Sequence, residues 1–370
     1  MTADTGDTRA APAYLVGMTL HLRSLLLALA AAGCTGTARP PEPPRTAAPT
    51  LTPQRSGTTQ RLQAISPVSE RIAWASGVGG TWVLTTDGGE TWRSGVVPGA
   101  DSLEFRDVEG MSEMVAYLLA AGPGDRSRIY RTEDGGRSWA VQFINRDTTA
   151  FYDCFAFWDS NRGFTMSDAV GGRFPVVRTT DGMIWTEVGD RLPAAQPGEG
   201  AFAASGTCTA VFGARHGWIS TGAAMSPPPS KPWRVSRNST LAPPEVAVPW
   251  AIGVSCARQV SPPSVVARTR ARSAAPDSFA DNVARSEDGG RTWRPATRTP
   301  FPGAIYGLAY LGRGSRAVVA TGPSGTAWSA DEAGTWRLLE GVTGYWAVAF
   351  ASPQAGWLVG TDGRILRIGF

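Results

Sequence analysis

The eight residues TTDGGETW (85–92) return nearly unchanged as TEDGGRSW (132–139) and SEDGGRTW (286–293). Three near-copies of one phrase describe a structural unit used repeatedly rather than three reaction centres. The aspartates fall at Asp87, Asp134, Asp181, Asp288 and Asp331, with a shortened echo, GTDGRIL, at Asp362. Successive intervals are 47, 47, 107, 43 and 31 residues. The long interval is close to two periods, so one copy is lost or disguised. A period in the forties is the spacing of a four-stranded propeller blade.

The segments before each phrase agree. ERIAWASGVGGTWVLTTDGG, MVAYLLAAGPGDRSRIYRTEDGG and SRAVVATGPSGTAWSADEAG all read strand, turn, strand, Asp-Gly turn. The expected fold is all-β, a seven-bladed β-propeller over 58–370. Its blades are read at about 62–97, 103–145, 151–190, 206–245, 250–297, 302–340 and 343–370. The last lacks a fourth strand, and TTQRLQAI (58–65) is the expected supplier. Closing the ring removes exposed sheet edges.

The phrase resembles the Asp box, S/T-x-D-x-G-x-S/T-W, also called the BNR repeat, a β-hairpin turn between the two outer strands of a blade. The aspartate accepts backbone N–H bonds in the turn, glycine allows positive φ, and the hydroxyl adds a local bond. Trp92, Trp139 and Trp293 then begin the next strand and are expected to pack on the following blade, and Trp336 closes the box at Asp331. Trp185 arrives one residue early after Asp181, so that turn should differ, and in SADEAGTW the glycine moves to Gly334. These carboxylates are read as scaffold.

Composition narrows the chemistry. The chain has 370 residues, 44 glycines, 14 tryptophans and a net charge of +4. Basic and acidic residues are interspersed, without the stripe of a nucleic-acid binder. Lys231 is the only lysine, and neither GxxxxGK[ST] nor GxGxxG occurs, which removes a phosphate loop and a dinucleotide fingerprint. His21 and His216 are the only histidines, and no CxxC pair stands ready for zinc. No cofactor or metal is expected.

From Met18, MTLHLRSLLLALAAAGC has a basic start at Arg23, an apolar core from Leu25 to Ala32 and small residues before Cys34. That is the pattern of an export signal, and AAGC resembles a bacterial lipobox, with Cys34 as the lipidated residue. The alternative is a cleaved signal with an incidental cysteine. Asp4 and Asp7 are out of place ahead of such a core, which makes Met18 the expected natural start. Residues 1–34 are thus read as the signal segment. Residues 35–57, rich in proline, are read as a disordered tether. Lipid chains would anchor the protein to the bacterial envelope.

Export permits disulfides. Cys154 in FYDCFAFWD and Cys208 in SGTCTAVFG fall on what look like innermost strands of successive repeats and form the candidate pair, two buried thiols being the alternative. Between 225 and 276 the pattern breaks into Pro, Ser and Arg. That stretch reads as a basic partner-binding loop, as degenerate blades, or as a local frameshift.

Propellers bind ligands at the mouth of the central channel. LEFRDVEGM, FYDCFAFWD, GAFAASGTC, GAIYGLAYL and YWAVAFA are read as innermost strands, which makes Arg106, Asp107, Asp153, Glu199, Ser205 and Tyr306 the candidate binding residues. VPGADSLEFRDVEG, FYDCFAFWDSNRGFTMSDAVGGRFPV and PGEGAFAASGTC resemble bacterial Asp-box propellers similar to the photosystem II stability and assembly factor. The resemblance spans about 60–225 and 277–370. It implies a non-enzymatic, exported propeller that binds protein partners during assembly of a membrane complex, and a monomer is expected. The rival reading is a glycoside hydrolase, sialidase-like or glucan-cleaving. It would use two of Asp107, Asp153 and Glu199 flanking the scissile bond.

Overall fold

The computed structural model describes residues 48–188, 192–195, 199–201, 204–212, 214, 216–219, 221–223, 246–247, 254–256, 264–268, 283–287, 294–312 and 314–370. Cys34, Met18, Asp288, Trp293 and most of 225–276 lie outside these residues.

Six four-stranded antiparallel sheets follow one another among the described residues, and together they form a β-propeller. The first runs outward from Leu62–Pro67 through Ala73–Gly77 and Thr81–Thr85 to Arg93–Val96. The second spans Phe105–Gly110 to Ala140–Ile144 and the third Tyr152–Phe157 to Trp185–Glu187. The sheets called fifth and sixth below span Val254–Cys256 to Arg294–Pro295 and Gly307–Tyr310 to Arg337–Leu338. Between the third and fifth lie a two-stranded piece and a three-stranded piece, in which Val246–Ala247 pairs parallel to His216–Ile219. Counting that broken sheet as the fourth makes seven positions, the number the repeat implies.

The closing strand is not the one expected. Thr50–Arg55 pairs antiparallel with Arg364–Gly369, from Thr50↔Gly369 to Arg55↔Arg364, and completes the seventh sheet. Residues 62–65 of the segment assigned to closure belong instead to Leu62–Pro67, the innermost strand of the first sheet. The outer edge of the ring tolerates proline, so Pro53 did not disqualify TLTPQR as a strand. Residues 50–55, read as part of the tether, are therefore a strand of the ring.

The core lies between sheets. Trp74, Trp82 and Leu84 of the first pack with Phe105, Leu118 and Tyr130 of the second. Tyr117 and Ile129 of the second meet Phe155, Phe157 and Val177 of the third. A sheet covered on both faces needs no polar side, which is why Ala73–Gly77, Thr81–Thr85 and Ala116–Ala120 are buried at every residue. Burying each large side chain contributes roughly 1.5–3 kcal/mol.

The boxes are self-contained turns. Thr85 Oγ1 donates to Asp87 Oδ1 at 2.8 Å and accepts from Gly89 N at 2.8 Å. Thr91 donates its N–H and hydroxyl to the same carboxylate. Thr132, Asp134, Gly136 and Ser138 repeat the pattern, as do Ser329, Asp331, Ala333 and Thr335. Gly88 and Gly89 take φ of 80° and 88°; in the sixth blade Glu332 and Ala333 hold the same left-handed conformation at 57° and 66°. That costs about 1–2 kcal/mol per residue, and Glu332 is held there by Arg285 Nη2 at 2.7 Å. The Asp181 turn does differ: Oδ1 accepts from Met183 N and Ile184 N, two residues and one residue earlier than the amide used in the other boxes.

The box tryptophans face the preceding blade, not the following one. Trp92 Nε1 donates to Gln54 Oε1 of the seventh blade at 3.0 Å. Trp185 Nε1 reaches Gln142 Oε1 of the second, and Trp336 Nε1 the Thr297 carbonyl after the fifth. Trp139 packs on Trp74 and Trp82 of the first. Each of these four indoles turns back toward the blade before its own, where an acceptor or a ring waits.

Hydrogen bonds from Thr91 and Ser138, side chain first, lower Asp87 and Asp134 from 3.8 to about 2. A depressed carboxyl stabilises the fold above its ordinary value and loses that contribution as pH falls toward the folded value. Stability should therefore decline between about pH 4 and pH 2. Thermal midpoints across that range for the wild type and for Asp87→Asn test this. The variant should start lower at neutral pH and show a shallower acid slope, and parallel profiles would count against the box as an acid-sensitive element.

Candidate functional site: one mouth of the central channel

The innermost strands share a defect. A β-bulge falls between Leu62 and Ala64, Phe105 and Asp107, Tyr152 and Cys154, and Tyr345 and Ala347. The extra residues are Gln63, Arg106, Asp153 and Trp346. Bulges re-aim side chains and are common at barrel rims. In the sixth blade Tyr306 directly precedes the innermost strand, its N–H bonded to the Thr321 carbonyl. Five blades thus place a polar or aromatic residue at the same end of their inner strands.

Contacts join Arg106, Trp346 and Tyr306 with Arg61, Glu104 and Phe151 into a belt. The Tyr306 and Trp346 rings lie 4.7 Å apart, and the Arg61 guanidinium sits 4.5 Å over Trp346. Arg61 Nη2 is 3.9 Å from Glu104 Oε2. Arg106 donates to that same oxygen from Nε at 3.0 Å and Nη2 at 2.8 Å, and its guanidinium lies 5.7 Å from the Phe151 ring centre. Along the inner strands lies a cavity of about 390 Å³, lined by Ala64, Leu308, Ala347 and Val348 with Asp107 and Thr207 but by none of the belt residues.

The six residues proposed from sequence meet different fates. Arg106 and Tyr306 belong to the belt. Ser205 donates its hydroxyl to the Tyr306 carbonyl, tying the fourth position to the sixth. Asp107, 1% exposed, borders the channel, but its oxygens accept from Val108 N at 2.8 Å and Phe155 N at 2.9 Å. It fastens the second inner strand to the third. Glu199 is 7% exposed and accepts from Thr221 Oγ1 at 2.5 Å. Among the described residues of GAFAASGTC (200–208) only Gly200 is extended, as the end of Glu199–Gly200, and the inner strand follows at Thr209–Phe212. The chain turns through 204–206, and Gly206 packs so tightly on Asp107 that a methyl group would not fit.

Asp153 is buried, 2% exposed, with Oδ2 donated to by no group among the described residues. Burial first, then the Asp168 charge, pushes its carboxyl well above 3.8, against the pull of Arg106. Burial likewise raises Asp168, which accepts from Ala201 N at 2.6 Å. A raised carboxyl favours the fold below its ordinary value and loses that as pH rises through the folded one. Asp153→Asn, which cannot ionise, should lose less of its thermal midpoint than the wild type as pH rises above the ordinary carboxyl range. A uniform drop at every pH would assign Asp153 a packing role instead.

Arg61, Gln63, Glu104, Phe151 and Trp346 escaped the sequence reading. LQAI and YWAV align with FRDV and YDCF once the bulge is known, so superposing the repeats by their second inner-strand residue would have found Gln63 and Trp346. The remaining three sit just before inner strands, where no repeat signal marks them. Cys154 and Cys208 are joined by a disulfide with Cα atoms 5.8 Å apart.

No family model matches the chain, and no curated protein matches it. Among solved structures the chain is similar to YCF48 bound to a D1 peptide, at 16% identity over 86% of this chain and 97% of that one, with a TM-score of 0.54. It is also similar to YCF48 from Cyanidioschyzon merolae, at 15% identity over 86% of this chain and 98% of that one, with a TM-score of 0.50. At these identities the likeness is one of fold, a β-propeller similar to YCF48.

Proposed function

We propose that the protein is a non-catalytic, exported propeller, lipid-anchored through Cys34, that holds a protein partner at the channel mouth and serves assembly or stability of a membrane complex. The observation that carries the reading is the belt itself: arginines and aromatic rings from neighbouring blades, partly exposed and in mutual contact. Such residues dominate protein–protein hot spots. A similar fold, YCF48, is known bound to a D1 peptide, which agrees with a peptide ligand for this architecture.

The carboxylates argue against hydrolysis. A glycosidase needs two carboxyl groups open to the substrate on either side of one bond. Asp107, Asp153 and Glu199 are 1%, 2% and 7% exposed, and Asp107 has both oxygens taken by backbone amides. The box aspartates accept from their own turns.

Affinity capture from native membranes, with the wild type beside Arg61→Gln and Arg106→Gln, tests the reading. The wild type should retain a membrane-complex subunit that the variants lose at least about tenfold. Cys34→Ser should move the protein to the soluble fraction. Equal retention by all three proteins, or turnover of fluorogenic sialosides or glucans, would overturn the proposal.

A further inference from the structure

We infer that Met183 is a built site of oxidation: a peroxide converts its thioether to the sulfoxide, and Arg131 and Gln142 are the donors that speed the transfer and then hold the new oxygen. The site lies on the rim and is independent of the channel mouth.

The third box departs from the first two at this residue. Where Gly89 and Gly136 stand two positions after the aspartate, the third box carries Met183, 54% exposed. Asp181 Oδ1 accepts from the Met183 N–H at 2.8 Å, which fixes the backbone beneath the side chain. Methionine is ordinarily an adaptable filler, but two donors face this sulfur. Arg131 Nη1 lies 2.8 Å from it and Gln142 Nε2 3.6 Å. Nη1 carries two hydrogens, enough for Met183 together with Glu133 Oε1 at 2.9 Å. The Arg131 side chain is 10% exposed and its guanidinium rests 5.5 Å from the Tyr117 ring centre, so its charge is little screened by solvent. Gln142 is oriented in turn. Its Oε1 accepts from Trp185 Nε1 at 3.4 Å, which leaves the amide N–H groups for the sulfur. Both donors come from the second blade, on Arg128–Thr132 and Ala140–Ile144, and the methionine stays open to solvent.

The oxidant is a hydroperoxide, and the step balances with it alone. The sulfur attacks one peroxide oxygen, and an S–O bond forms as the O–O bond breaks. The departing oxygen takes the proton left on the transferred one and leaves as water or an alcohol. Sulfur gives up two electrons and the peroxide accepts them. Negative charge builds on the departing oxygen before the proton reaches it, and fixed donors beside it lower that cost. The thioether is a weak acceptor, whereas the sulfoxide is polar. Arg131 and Gln142 meet the new oxygen where they stand. Methionine oxidation commonly disrupts packing; at this position it replaces a weak acceptor by a strong one in front of two waiting donors. Met114 is the natural comparison, being 40% exposed with no donor at its sulfur among the described residues.

Hydrogen peroxide treatment of the purified protein, sampled over time and read by peptide mass spectrometry, tests the inference. Exposure alone predicts near-equal rates for Met183 and Met114. Met183 should instead gain oxygen at least about fivefold faster. Arg131→Gln should bring the two rates together. Gln142→Leu, the second variant should Arg131→Gln fold poorly, should narrow the gap at least about twofold. Urea unfolding supplies an independent readout. Oxidised wild type should keep the midpoint of the untreated protein, and treated Met183→Leu reports what the other methionines contribute. Rates that follow exposure, a ratio that neither variant changes, or an oxidised wild type that loses more of its midpoint than treated Met183→Leu would each overturn the inference.

Discussion

A chain beginning at Gly57 is expected not to fold cooperatively, and Gln54→Ala in the full-length protein is expected to lose about 2–4 kcal/mol. The cause is local. Gln54 Oε1 accepts from Trp92 Nε1 at 3.0 Å in the first blade and from Trp357 Nε1 at 3.2 Å in the seventh, while its Nε2 donates to the Gly88 carbonyl at 3.2 Å. One amide therefore stitches the seam of the ring. Truncation to alanine strands two indole N–H groups, and each such loss costs about 1–3 kcal/mol. Removing the whole strand also uncovers the ladder of Arg364–Gly369 and the contacts of Leu51 with the last interblade cluster. Urea unfolding followed by tryptophan fluorescence measures both. A truncated chain that unfolds with the wild-type midpoint would mean that the ring closes by some other strand.

Replacing Cys154 and Cys208 together by alanine should lower stability by about 4 kcal/mol. The sulfurs close a loop of 54 residues, and chain entropy alone predicts roughly that figure for a loop of this size. Alanine is the informative choice because both positions are fully buried and serine would add a buried hydroxyl. The bridge joins the third inner strand to the entrance of the fourth, where the regular sheet gives way to fragments. The expected result is a lower urea midpoint with the loss concentrated in the third and fourth blades, visible as faster amide exchange in Thr209–Phe212 than in Phe105–Gly110. Uniform exchange, or a loss below about 1 kcal/mol, would show that packing already holds this junction.

The repeated turn made the architecture legible because its chemistry is local. An aspartate, two hydroxyls and a pair of left-handed residues suffice to build each box, so eight letters announce it, and the position of Trp185 foretold the altered third turn. The seam was illegible for the opposite reason. Thr50–Arg55 is a strand only because Arg364–Gly369 lies beside it, a pairing more than three hundred residues distant in sequence. The direction of the box tryptophans likewise depends on where the neighbouring sheet sits. At the mouth, Arg106 and Tyr306 were found because their inner strands carry an obvious apolar pattern. Arg61, Glu104 and Phe151 were missed because they stand outside any strand and gain meaning only from the rings and charges brought around them. Asp107 and Asp153 were chosen for their charge. Burial gives the first to backbone amides and raises the pKa of the second.

The pairing of Thr50 with Gly369 has a practical corollary. The two ends of the folded body emerge side by side, so a short linker could join them covalently and new ends could be opened at an exposed turn such as Gly171–Gly172. A permuted molecule of that kind would carry its outermost strand within one uninterrupted hairpin. It would convert a seam held by hydrogen bonds into ordinary connected backbone.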